Sequence, residues 1–236
     1  MKKEKGYILH QGSKGGHDYV VIATLKTNNR KTGDMIQVWI LLTDVSPVEG
    51  VKTGIDALSV CTGCIFANGQ GCYVNVGQAP LAIWKAFHRG LYETLPLAGY
   101  PLIFTGRKVR FGAYGNPSLI PLAKVKLIAG LSDGWTGYFH DWKDMHSLTA
   151  NAYGRYFMAS TETEESRCKA NEKNLRYFHV SPTQPEGTLE CLADSHGIAC
   201  IDCNLCNGNR LNAKPIWINP HGSQRQRAVN VSIIQH

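Results

Sequence analysis

The sequence has no apolar stretch able to cross a bilayer. Its longest runs, such as VWILL at 38–42, fall far short of the ~20 residues a spanning helix needs. The opening MKKEKGYILHQGSKGG is basic and holds no apolar core of the secretory kind. Both absences lead us to expect a cytoplasmic protein with no membrane partner. Also missing are H-E-x-x-H, G-x-G-x-x-G and the His-x-Glu plus Pro-Cys-x-x-Cys pair, which removes the zinc-protease, dinucleotide and deaminase readings. Acidic residues are scarce: 18 against 25 Lys and Arg, a net charge of +7. A basic surface favours phosphate-rich partners through counterion release, so nucleic acid, DNA in the first place, is the expected partner.

What the chain does have is clustered cysteine. Seven of its eight cysteines lie in two short stretches, SVCTGCIFANGQGCYVNVGQAP at 59–80 and ECLADSHGIACIDCNLCNG at 190–208. In a reducing compartment such clusters read as metal ligands rather than disulfides. Cys200-x2-Cys203-x2-Cys206 is the sharper motif, with Cys191 or His221 available as a fourth ligand, and Zn2+ in a structural role is its default occupant. Cys61, Cys64 and Cys72 have no obvious fourth partner. They suit a second zinc with a distant ligand, or a four-iron cluster with one open iron, as radical chemistry with S-adenosylmethionine requires. Cys168 falls in an expected helix and reads as a small buried hydrophobe.

Hydrophobic patterning predicts one α/β domain over 1–236. An N-terminal β-hairpin within 1–50 pairs DYVVIATL with MIQVWILL across KTNNRKTGD. The stretch QAPLAIWKAFHRGLYETL predicts a helix, with Pro80 near its start and Ile83, Phe87 and Leu91 along one face. Over 107–181, KVRFGAYGNP, GWTGYFHDW, YGRYFMAST and LRYFHVSP read as short strands separated by crossover helices, one beginning at Pro121 and one capped by Thr161 with Glu164. RAVNVSIIQ at 227–235 reads as a closing strand. The fold class expected is therefore α/β: a parallel (β/α) sheet or a small or partial TIM-like barrel. Cysteine-rich metal-binding insertions would occupy 59–80 and 190–222.

Ligands of parallel α/β folds bind at the carboxyl ends of strands. That rule selects Tyr114 and Asn116, His140 and Asp141, Ser160 and Glu162, and then His179 and Ser181. Catalytic candidates are Asp56, Asp141, Glu162 and His140. Tyr114, Asn116, Trp142 and Ser160 are candidates for substrate contact, with Tyr114 or Trp142 stacking on a base. Arg30 and Lys31 in the turn NNRKTGD are placed to meet phosphates, although the turn lacks the order of a P-loop.

The segments NRKTGDMIQVWIL, CYVNVGQAP, RFGAYGNP, GWTGYFHDW, FMAS and the closing cysteine run together resemble a group of bacteriophage proteins, which implies the cytoplasm of an infected cell. More distantly, Cys200, Cys203, Cys206 and His221 are similar to the late zinc set of the tRNA-guanine transglycosylases, with a first gap of two residues in place of one. That resemblance implies a (β/α) barrel and insertion of a 7-deazaguanine base into DNA, with a carboxylate attacking the sugar's C1′. Two other readings stand beside it. One is an iron–sulfur enzyme of radical type centred on Cys61, Cys64 and Cys72. The other is a non-enzymatic, zinc-stabilised module that binds nucleic acid or a host protein.

Overall fold

The computed structural model describes residues 5–209, 212–222 and 224–234. It opens with three antiparallel strands, β1 (Gly6–Lys14), β2 (His17–Thr24) and β3 (Ile36–Leu42). Gly15 and Gly16 join the first two with φ of +61° and +81°, the left-handed pair a two-residue hairpin turn requires. The expected β2–β3 hairpin is present, and β1 extends it by a strand. Every residue of β3 is buried, as befits a strand with neighbours on both sides and elements on both faces.

Helices α1 (Pro47–Thr53) and α2 (Ile55–Leu58) lead from β3 into the first cysteine run, and α3 (Ala79–His88) leaves it. The predicted helix thus forms, but Leu91 lies beyond its end and is exposed. After β4 (Glu93–Thr94) and α4 (Tyr100–Phe104), β5 (Lys108–Tyr114) pairs parallel with β3, and β6 (Gly134–Thr136) parallel with β5. The first sheet is mixed, in the order β4-β1-β2-β3-β5-β6.

Gly137 alone separates β6 from β7 (Tyr138–Phe139), so one run of chain serves two sheets. The second sheet adds β8 (Met158–Thr161), β9 (Tyr177–Val180), β10 (Leu189–Glu190) and β11 (Ile216–Ile218). Its order is β10-β11-β9-β8-β7 and every pairing in it is parallel. Helices α5 (Leu122–Leu131), α6 (Ser147–Gly154) and α7 (Glu164–Glu172) supply the crossovers. The chain is thus a mixed α/β structure rich in parallel pairing, whose outermost strands are β4 and β10.

Two details depart from the pattern-based expectation. The α7 cap is Thr163 with Ser166 in a reciprocal box, while Thr161 and Glu162 stay buried at and just beyond the end of β8. The segment expected as a closing strand forms α10 (Arg225–Ile234), with Gln235 outside the described residues. In its place β11, in KPIWINP, enters the sheet. Short helices α8 (Leu192–Ser195) and α9 (Cys200–Cys203) carry the second cysteine run.

The larger core joins Val20–Ile22 and Val38–Leu42 to Tyr100, Phe104, Phe111, Phe139 and Trp142. A smaller one packs Met158, Phe178, Ile216 and Ile218 around Cys191 and Cys206. Among the described residues no helix is long and apolar enough to cross a membrane.

Candidate functional site at the strand ends

A cavity of about 350 Å³ opens where the parallel strands end, and all seven clustered cysteines line it. Its volume lies in the range of small-molecule sites. Cys61, Cys64 and Cys72 come from the loop between α2 and α3. Backbone bonds hold that loop: Cys61 N to Asp56 O at 2.7 Å, Cys72 N to Phe66 O at 3.1 Å, and Asn116 N to Val60 O at 2.7 Å. Gly63, at φ +80°, lets it close on the end of β7; a Cβ there would stand 2.7 Å from His140 O.

The opposite wall is the second run. Cys191 N bonds Trp217 O at 2.8 Å beside β11, Cys200 N bonds Lys31 O at 2.9 Å, and Cys206 O accepts from Gly137 N at 3.0 Å. Burial raises the Cys61, Cys64 and Cys72 thiols, and each feels at least one neighbour: Cys61 also Asp56, Cys64 and Cys72, and Cys64 also Cys72 and Glu162. In the late set burial raises Cys200 and lifts Cys206 to about 12, with further upward pushes from Cys191 and Cys203. The thiols therefore form two neighbourhoods of three and four. Among the described residues no three His, Cys, Asp or Glu side chains are already gathered as a metal cage, so an ion would require the thiols to turn toward it.

His221 also lines the cavity but is engaged elsewhere. Its Nε2 lies 3.0 Å from Lys31 Nζ, its Nδ1 lies 3.3 Å from Asn219 O, and its ring stacks on Tyr73 at 5.5 Å. Cys191, not His221, shares the neighbourhood of Cys200 and Cys206. Cys168 sits on α7 as expected but is exposed, its Sγ 3.4 Å from Glu164 Oε1.

Of the substrate-contact candidates, Tyr114, Asn116, Ser160 and Lys31 line the cavity. Trp142 is wholly buried away from it and donates its indole N–H to Ser160 O at 2.9 Å, while Arg30 is exposed at the turn. The candidate carboxylates are committed inside the fold. Asp56 accepts from the Tyr114 hydroxyl. Asp141 accepts from Ser118 Oγ at 2.8 and 2.9 Å. Glu162, fully buried, takes Ser160 Oγ at 2.8 Å and Lys143 Nζ at 3.1 Å. Among the described residues the one acidic side chain on the cavity wall is Glu190, which is exposed. The G-x-S-x-G letters of GLSDG at 130–134 run from the end of helix α5 into the first residue of β6, a helix-to-strand passage and the reverse of a nucleophile elbow.

His140 does face the cavity. Burial lowers its pKa, with Glu162 opposing, so the ring is neutral near pH 7. Its Nδ1, 3.9 Å from Glu162 Oε1, is buried without a hydrogen-bond partner. The other two such side-chain atoms among the described residues are Thr136 Oγ1 and Asn204 Oδ1, and both residues line the same cavity. Buried polar groups are nearly always satisfied, so three orphans around one void mark the place where a ligand's polar groups belong.

Asp56, hydrogen-bonded to the wall residue Tyr114, gives a pH test of the packing behind the cavity. Burial raises its carboxyl from the ordinary 3.8 to about 6, against the Tyr114 hydrogen bond. The folded chain then holds that proton more tightly than the unfolded one. The stabilising contribution is complete below about pH 4 and is lost as pH rises through about 6, a change of about 3 kcal/mol. In urea melts of the metal-free chain, Asp56→Asn should remove this downward slope between pH 4 and 7. A slope that survives the substitution would assign it to another group.

Compared with protein-family models, with curated proteins and with solved structures, the chain has no match.

Proposed function

We propose that the chain is a metal-dependent enzyme of iron–sulfur type acting on a nucleic-acid component held in this cavity. One observation carries the reading: seven thiols from two distant segments line a single cavity at the carboxyl ends of the parallel strands. Cys61, Cys64 and Cys72 would hold a cluster with one open iron turned toward the substrate. Three soft thiolates with no fourth protein ligand leave a coordination position free, which is the mark of a catalytic centre. Cys191, Cys200, Cys203 and Cys206 form a complete four-thiolate set, suited to a closed structural zinc.

The apolar lining, including Phe66, Val74, Phe178 and Ile218, would keep water from the open position. Tyr114, Asn116 and Ser160 are placed to orient the substrate, and neutral His140 to hold or pass a proton at Nδ1. The commitments of Asp56, Asp141 and Glu162 favour thiol-centred chemistry over attack by a carboxylate in the manner of a transglycosylase. The net charge of +7 and the cavity's size fit a nucleotide unit.

Protein purified without oxygen should contain about four irons and about one zinc per chain, with broad absorption near ~400 nm. Colourless protein carrying about two zincs would overturn the reading and make both thiol sets structural.

A further inference from the structure

The cavity also holds a buried cation that no carboxylate pairs with among the described residues. Arg110, on β5, is 8% exposed and lines the cavity. None of the ion pairs found among the described residues includes it. Its guanidinium donates to Tyr73 Oη at 2.5 Å and stands 5.7 Å from the centre of the Tyr138 ring. A guanidinium has five N–H donors, and a buried cation without a counter-charge is strongly unfavourable.

Its surroundings repeat the imbalance. Thr136, whose buried hydroxyl has no partner, is the residue directly across from Arg110 in the β5–β6 pairing, so both side chains leave the same face of the sheet. Tyr73, whose hydroxyl oxygen accepts from Arg110, stacks its ring on His221, and His221 Nε2 meets Lys31 Nζ at 3.0 Å. Asp194 is 3.8 Å from Lys31, with both side chains about one-third exposed. Two cations, an unpartnered hydroxyl and an imidazole therefore line the cavity, Arg110 and Lys31 being linked through Tyr73 and His221.

We propose that Arg110, Thr136 and Lys31 form an oxyanion-binding end of the cavity, which takes a phosphate or carboxylate group of the molecule bound there. The inference rests on the cavity being a substrate site but not on which metal the thiols hold. A guanidinium fork, with an ammonium on the same cavity lining, suits the planar or tetrahedral oxygens of such a group. The orphaned Thr136 hydroxyl supplies a further donor.

The test titrates inorganic phosphate, and separately acetate, into the full chain by calorimetry at constant ionic strength made up with chloride. Saturable binding is expected for at least one of them, weakened at least about tenfold in Arg110→Met and in Lys31→Met. Tighter phosphate binding points to a nucleotide phosphate, and tighter acetate binding to a carboxylate. Lys31 is part-exposed, so its variant keeps the test valid if Arg110→Met fails to fold. No saturable binding of either ion, or binding that neither folded variant weakens, overturns the proposal. Metal content measured on the same preparations separates the two readings: oxyanion binding to a chain without iron would defeat the cluster and leave this site standing. Loss of zinc in Arg110→Met with ion binding intact would instead make Arg110 the counter-charge of Cys200 and Cys206.

Discussion

Replacing Arg176 with Met should destabilise the chain by more than about 4 kcal/mol, and Arg176→Lys should recover only a small part of that. Arg176 stands just before β9 and is 4% exposed. Its Nη1 donates to Leu205 O at 2.6 Å and Asn207 O at 2.9 Å. Its Nε reaches Ala213 O and Lys214 O, both at 3.2 Å, and Nη2 adds a bond to Lys214 O at 2.9 Å. One guanidinium thus collects four backbone carbonyls from the chain that follows Cys203. Hydrogen bonds to a charged donor contribute about 1.5–3 kcal/mol each, and removing the donor leaves buried acceptors unsatisfied. An ammonium is a point donor that cannot span four acceptors on two sides. Chemical denaturation of the two variants would measure the loss. A change under about 1 kcal/mol in Arg176→Met would mean that these carbonyls find other partners and that the late loop does not depend on the arginine.

This arginine also illustrates what the sequence hides. Strands β5, β8 and β9 were legible because short β-branched and aromatic runs end in turn-forming residues, whereas GWTGYFHDW, read as one strand, divides between β6 and β7. Of the residues picked by the rule of strand carboxyl ends, Tyr114, Asn116, His140 and Ser160 line the cavity. Strand β1 was not expected, because the opening is basic and polar, although Gly15–Gly16 at its end is the glycine pair of a hairpin turn. The alternation of Val229, Val231 and Ile233 suggested a strand where α10 forms. Local pattern lost there to packing: a Cβ on Gly71 would stand 2.6 Å from Ala228 Cα, so a helix fits this close approach with small residues on both sides. What could not be read was which polar residues are spent inside the fold. Asp56 is tied by Tyr114, Asp141 by Ser118 and Glu162 by Lys143, partners 58, 23 and 19 positions away. Nor could spacing choose between Cys191 and His221, because Lys31, which engages His221, lies 190 positions off. Arg110 and Arg176 look like any other basic residues in the sequence, because burial is not a property of composition.

Substituting the two cysteine sets separately should give opposite results, and the contrast tests the division of labour between them. Cys61, Cys64 and Cys72 lie on a loop whose backbone is fixed without the thiols, through Asp56 O, Phe66 O and the Val60–Asn116 bond. Changing all three to Ala should therefore abolish colour, iron and turnover while leaving zinc and near-ultraviolet dichroism in place. The late set has little secondary structure to fall back on, since α8 and α9 are single turns of four residues. A metal there would supply folding energy directly, about 10 kcal/mol in small zinc sites. Cys203→Ala should thus release zinc and open residues 192–209 to proteases, and the disturbance should reach the hairpin side. Cys200 N and Ile201 N bond Lys31 O and Thr32 O, and Lys108 Nζ donates to Ile201 O at 2.6 Å. Equal unfolding by both sets of substitutions would deny the early thiols a catalytic role. A folded, protease-resistant Cys203→Ala chain would show that Arg176 and these backbone bonds hold the late loop without metal.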